Sequence, residues 1–315
     1  MSTIWITGGK GFIGRHTARF IASNAQSVFG IGHGHWPMEE ASKWRYTYWH
    51  NGDVDFSNLT KLANVSGAPD AIYHLAGGSS VASSLKNPYE DFGRTVETTA
   101  QLLEWVRLYA ARSNVVCVSS AAVYGSSHTG KIPEETPVSP HSPYGSHKAI
   151  MESMCHSYAN NFGLQICIVR LFSVYGAELQ KQLIWDMCCK LVAAGSASVA
   201  LDGTGNEVRD WLHVSDAASL LWLVKNECGT QCAVINGGTG IGTTVSDIAK
   251  FVRRAWPASV NIEFSNKTRK GDPPSLIADI EKAKRLGFRP AVSIEEGIDE
   301  VVGWFKQQRG GPLHA

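Results

Sequence analysis

The 315-residue sequence predicts an α/β protein, a doubly wound parallel sheet joined to a smaller C-terminal lobe. Three observations carry that prediction. A short apolar strand at the N-terminus runs into a glycine turn and then a helix. Strand-like and helix-like segments alternate as far as about residue 172. A fifth strand, apolar until its last two serines, reads as a central parallel strand covered on both faces.

Ile4-Trp5-Ile6 is the first strand, and Thr7-Gly8-Gly9-Lys10-Gly11-Phe12-Ile13-Gly14 is the turn that opens the first helix. Gly8 permits the tight turn, Gly11 lets the backbone approach a pyrophosphate, and Gly14 allows close helix packing. The helix start, with Phe12 and Ile13, offers unpaired N–H groups to phosphates. The stretch therefore reads as a dinucleotide site, although its spacing is Gly-x-x-Gly-x-x-Gly.

Ser27–Ile31 reads as the second strand and ends in Gly32-His33-Gly34-His35. An acid usually stands there and accepts bonds from the adenosine ribose. Its absence removes the repulsion that would exclude a 2′-phosphate. His33 and His35, with Lys43 or Arg45 close by, are candidate phosphate partners. NADP is accordingly favoured over NAD, and an Asp placed at Gly32 is expected to swing preference back. The other reading is a loop with no part in cofactor choice.

Arg45–Trp49 alternates like a third strand and leads to Asp53 and Val54. Ala71–Leu75 is a fourth, followed by Ala76, Gly77, Gly78, Ser79 and Ser80, small residues that let a dinucleotide lie against the sheet. Positions 88–112 carry helical spacing. Val115–Ser120 is the fifth strand. A Pro- and Ser-rich loop then ends in Tyr144-Gly145-Ser146-His147-Lys148, which opens a helix to about 161, and Gln165–Leu171 is the sixth strand. Beyond Ser173, helices near 179–195, 215–227, 245–256 and 294–308 alternate with short strands. The expected organisation is a dinucleotide-binding domain over 1–172 and a substrate lobe over 173–315, part of it returning to the large sheet.

Net charge is +1 and no apolar run approaches the ~20 residues that span a bilayer, so neither nucleic acid nor membrane is an expected partner. The seven cysteines form no Cys-x-x-Cys pair and suit a cytoplasmic, reduced protein without a signal peptide. No metal site is expected.

Tyr144 and Lys148 stand four apart at a helix start and share one face. A nearby ammonium would lower the phenol's pKa and let Tyr144 take a hydroxyl proton while a hydride leaves the same carbon. Ser120 can donate to that oxygen.

These residues resemble the extended short-chain dehydrogenase/reductases, specifically the nucleotide-sugar epimerase/dehydratase family, over nearly the whole length. The glycine turn is similar to its cofactor turn, Ser119–Gly125 to its catalytic strand, and Ser142–Lys148 to its Tyr–Lys helix. Arg170–Gly176, Val208–Asp216 and Arg269-Lys270-Gly271-Asp272 resemble its later segments. The resemblance implies a Rossmann-type fold, NADP or NAD, and a nucleotide-diphosphate sugar. The expected cofactor contacts are Gly8, Gly11, Phe12, Ile13, Gly14, His33, His35, Asp53, Val54, Leu75, Ala76, Gly77, Tyr144 and Lys148. The catalytic residues are Ser120, Tyr144 and Lys148. Ser79, Ser80, Ser120, Ser173, Arg209 and Arg269 face the substrate, the two arginines on its diphosphate. Helices near 88–112 and 144–161 imply a homodimer.

Three departures stand out. Gly32 replaces the usual acid, Ser173 replaces an Asn, and Ala121 and Ala122 stand where dehydratases carry an acidic pair. Methyl groups supply neither acid nor base, so dehydration ranks low. The readings left are an epimerase acting at C4, a reductase of nucleotide-4-keto-sugars, and a cofactor-sensing regulator.

Overall fold

The computed structural model describes residues 2–24, 26–194, 198–256, 260–267 and 273–308. Seven strands make the large sheet: β1 (Thr3–Thr7), β2 (Ser27–Gly32), β3 (Tyr48–Asn51), β4 (Ala71–His74), β5 (Asn114–Ser120), β7 (Gln165–Leu171) and β11 (Ala233–Gly237). Their order is β11-β7-β5-β4-β1-β2-β3, and every pairing is parallel. This is the doubly wound, Rossmann-type arrangement that the alternation predicts. The winding reverses between β1 and β4, and a ligand crevice opens at the carboxyl ends of strands at such a point.

The pleat sorts the core. In β1, Ile4 and Ile6 pack into one hydrophobic layer and Trp5 into the other, all three fully buried. The first layer is covered by α1 (Phe12–Ser23) and α9 (Val214–Val224). On the second lie α3 (Phe56–Ser66), α6 (Thr98–Tyr109) and α7 (Pro143–Phe162). Local sequence fixes α7 at both ends. Ser142 accepts the Gly145 amide at 3.1 Å, Pro143 fills the first helical position, and Gly163 closes it at φ 71°.

Residues 88–109 are less regular than the single predicted helix. They form α5 (Pro88–Phe92), a π turn over Gly93–Glu97, and α6. The third strand begins three residues later than read, at Tyr48. The sequence reading missed β8 (Ser173–Tyr175), which continues from β7 after one residue, and its partner β10 (Val208–His213). Together with β6 (Lys131–Ile132), β12 (Gly242–Thr244) and β14 (Ser275–Ala278) they form a second sheet. The two- to four-residue β6, β8, β12 and β14 carry little periodicity, and β10, Val-Arg-Asp-Trp-Leu-His, does not alternate apolar with polar. A third core joins α8 (Gln182–Ala194), α10 (Val245–Ala255) and α12 (Ile294–Gln308).

Candidate active site

One cavity of about 1090 Å³ lies at the carboxyl edge of the large sheet. Its walls include Gly8, Gly11, Phe12, Ile13 and Gly14 from the glycine turn and Asp53 and Val54 beyond β3. Leu75, Ala76, Gly77, Ser79 and Ser80 follow β4, and Ser120, Tyr144, Lys148, Ser173 and Arg209 complete the expected set. Three expected residues stand apart from it. His33 lines the cavity but His35 does not. Lys43 pairs on the surface with Glu40 at 2.6 Å, and Arg45 is exposed. Arg269, with Lys270, Gly271 and Asp272, lies outside the described residues.

The glycine turn is shaped to receive a dinucleotide. Gly8 has φ 66°, and a Cβ there would stand 2.7 Å from the Ala76 nitrogen. A Cβ on Gly14 would meet Gly9 Cα at 2.7 Å, so Gly14 lets the helix close on the turn itself. Bare backbone and the first turn of α1 thus face the cavity, which fits a pyrophosphate.

Beneath β4 a buried chain of hydrogen bonds holds the opposite wall. Thr99 donates to the Thr95 carbonyl at 2.6 Å, so the Nε2–H of His74 must donate to Thr99 at 2.9 Å. Nδ1 then accepts from Thr7 at 2.7 Å, and Thr7 accepts the Ala76 amide at 3.3 Å. Burial pushes His74 down to about 3 and keeps it neutral, with Lys148 adding to the effect. The π turn places the Thr95 hydroxyl under the Gly78 amide at 2.8 Å.

Ser120 ends β5 and accepts the Ala122 amide at 3.2 Å, which leaves its O–H free to donate. That hydroxyl lies near enough to the Tyr144 phenol to pull its pKa down against burial. The Tyr144 amide donates to Ser84 of α4 (Val81–Lys86) at 3.0 Å, pinning the start of α7. The expected direct effect of Lys148 on Tyr144 is not what the structure shows. Burial holds the phenol above its usual range, opposed by the Ser120 hydroxyl and reinforced by the Asp91 charge. The Lys148 ammonium instead donates to the Val118 carbonyl at 2.8 Å, and burial lowers it to about 8. The physical reason is depth: Lys148 is 4% exposed and satisfies its charge on the nearest carbonyl.

Sequence reasoning missed Lys10, Arg94, His141 and Lys181, which also line the cavity. Lys10 was legible inside the glycine turn, whereas the other three stand in no motif. Among the described lining residues, Lys10, Arg94, Lys148, Lys181 and Arg209 oppose a single carboxylate, Asp53. Such a cavity favours polyanions.

The sequence pattern of the NAD dependent epimerase/dehydratase family matches residues 4–236. The chain belongs to that family. It is therefore an enzyme of the extended short-chain dehydrogenase/reductase type. UDP-glucose 4-epimerase 4 of Oryza sativa subsp. japonica is 30% identical, with 96% of this chain and 89% of that protein covered. Among solved structures, the Thermotoga maritima UDP-glucose 4-epimerase with UDP-glucose superposes with a TM-score of 0.86 at 26% identity, covering 98% and 99% of the two chains. A UDP-glucuronic acid 4-epimerase from Bacillus cereus, bound to UDP-glucuronic acid and NAD, gives 0.85 at 27%, covering 97% and 99%. No helix among the described residues is long and apolar enough to cross a membrane.

Proposed function

We propose that this family member is a nucleotide-sugar epimerase that oxidises and re-reduces C4 of a UDP-linked sugar. The observation that carries the reading is the convergence of Ser120, Tyr144 and Lys148 on a cavity with the glycine turn at one side and Arg209 at another. The names of the relatives supply the carbon and the nucleotide. A nicotinamide dinucleotide, when bound, supplies the hydride acceptor and donor. The chain's own residues do the rest. Ser120 donates a hydrogen bond to the sugar oxygen, and Tyr144 exchanges a proton with it. Lys148 holds positive charge on the floor below, and Arg209 meets the diphosphate.

The test is incubation with a panel of UDP-, GDP- and dTDP-sugars and keto-sugars, with and without NADPH. Isomerised product without net cofactor oxidation is expected. Oxidation of NADPH by a keto-sugar alone would make the protein a reductase. One observation favours that second reading. The acid is missing at Gly32, which favours NADP.

Arg209→Ala should weaken sugar-nucleotide binding by about 1.5–3 kcal/mol, the range for hydrogen bonds to charged groups. Dinucleotide affinity should stay nearly unchanged, and calorimetric titration with each ligand reads both. Equal weakening would place Arg209 elsewhere. The reading also includes a cytoplasmic homodimer. All seven thiols are free. Leu85, Tyr89 and Ile150, exposed at 65%, 82% and 41%, give α4, α5 and α7 an apolar outer face. Sedimentation at the monomer mass would remove the dimer.

A further inference from the structure

We propose that Trp49 and Lys10 set the dinucleotide preference of this protein. The Trp49 ring takes the space that an acidic side chain at position 32 needs, and Lys10 is the cation that meets a phosphomonoester on the adenosine ribose. The proposal rests on the dinucleotide reading of the cavity and explains how this chain departs from an NAD-selective strand.

Gly30 and Gly32 are two apart in β2 and therefore point to the same face. Gly30 pairs with Trp49 of β3, and Gly32 with Asn51. The indole lies across both glycines. A Cβ on Gly30 would stand 2.6 Å from its Cε3, and a Cβ on Gly32 would stand 2.9 Å from its Cη2. Ordinary carbon contacts are about 3.5–4.0 Å. Glycine at these positions is thus the condition for the tryptophan, a close approach across neighbouring strands.

The ring cannot swing aside cheaply. Trp49 is 5% exposed, and its Nε1–H donates to Asn51 Oδ1 at 2.9 Å. The same oxygen accepts the Trp36 amide at 2.7 Å. Trp36 and Tyr46 pack edge-on against the indole, with centroids 4.8 and 5.5 Å away. Tyr46 donates in turn to the carbonyls of Gly9 and Gly14, at 3.1 and 3.2 Å. The aromatic cluster is therefore fastened to the glycine turn. An Asp at position 32 would have to displace it.

The acid's usual neighbourhood is lined by Lys10, Gly32, His33 and Gly34. The Lys10 ammonium reaches from the glycine turn to the loop after β2, donating to the His35 carbonyl at 2.9 Å on an exposed edge. A neutral, solvent-exposed carbonyl is a weak partner. A phosphate dianion at the same place is a far stronger one. The basic group of this pocket thus comes from the turn, where the sequence reading looked to Lys43 and Arg45.

The experiment is fluorescence titration of nucleotide-free protein with NADPH and NADH, for the parent and three variants. The parent is expected to bind NADPH more tightly. Lys10→Gln should lose roughly tenfold or more in NADPH affinity and keep its NADH affinity. Gly32→Asp alone should melt at lower temperature without gaining NADH affinity. Gly32→Asp with Trp49→Val, which opens the space, should gain it. A parent that prefers NADH overturns the NADP preference and this proposal with it. If the parent does prefer NADPH, unchanged NADPH binding by Lys10→Gln overturns the role of Lys10. A Gly32→Asp variant as stable as the parent and improved for NADH overturns the role of Trp49.

Discussion

Tyr144→Phe is expected to cut turnover by about 10² to 10⁴, the usual contribution of a positioned acid or base. In the proposed reaction the phenol passes a proton to and from the sugar oxygen. It lies beside Ser120, and its backbone is pinned by Ser84. Removing the hydroxyl leaves both the ring and the Ser84 bond, so fold and dinucleotide binding should persist. Steady-state rates on whichever sugar nucleotide turns over, with NAD(P)H titration alongside, read the two effects separately. A variant within about threefold of the parent, well short of that range, would remove Tyr144 from the chemistry. Because the phenol sits above its usual range, its conversion to phenolate depends on charge brought close to it. The Lys148 ammonium is turned to the Val118 carbonyl, so that charge has to come from the bound ligands.

Arg170→Met should cost about 3–5 kcal/mol of stability, the loss typical when a buried ion pair loses one partner. Arg170 of β7 donates through Nε and Nη2 to the Glu152 carboxylate at 3.0 and 2.7 Å, and through Nη1 to the Glu134 carbonyl at 3.0 Å. Its guanidinium stacks on Tyr124 with 4.7 Å to the ring centroid. Both charged groups are about 5% exposed, so the carboxylate left behind cannot reach water. Glu152 lies one turn beyond Lys148 on α7, and the pair ties that helix to β7. Pairing Arg170→Met with Glu152→Leu should recover most of the loss, since the stranded charge is then gone. Urea unfolding measures all three proteins. A single variant that loses less than about 1 kcal/mol, far below the expected range, would contradict the account.

Much of this was legible beforehand. The glycine turn, the alternation of elements and the serine-ended fifth strand are local patterns. Each is written in residues that touch one another or follow in sequence. The same holds for α7, whose cap, proline and terminal glycine are contiguous with it. The fold of the large sheet and the grouping of Ser120, Tyr144 and Lys148 therefore follow from the chain's own order.

What only the tertiary structure decided involves side chains far apart in sequence. The absent acid at position 32 reads as a gap until Trp49 is seen lying over it, 17 residues away and held by Trp36 and Tyr46. Lys148 reads as a partner of Tyr144 because they share a helix face, yet burial turns its ammonium to a carbonyl in β5. His74 reads as one more strand residue until Thr7 and Thr99 close on its two nitrogens. Sequence determines local conformation through short-range sterics and periodicity. The space beside a glycine, and the partner a buried charge finds, are set by which distant strands the fold brings side by side.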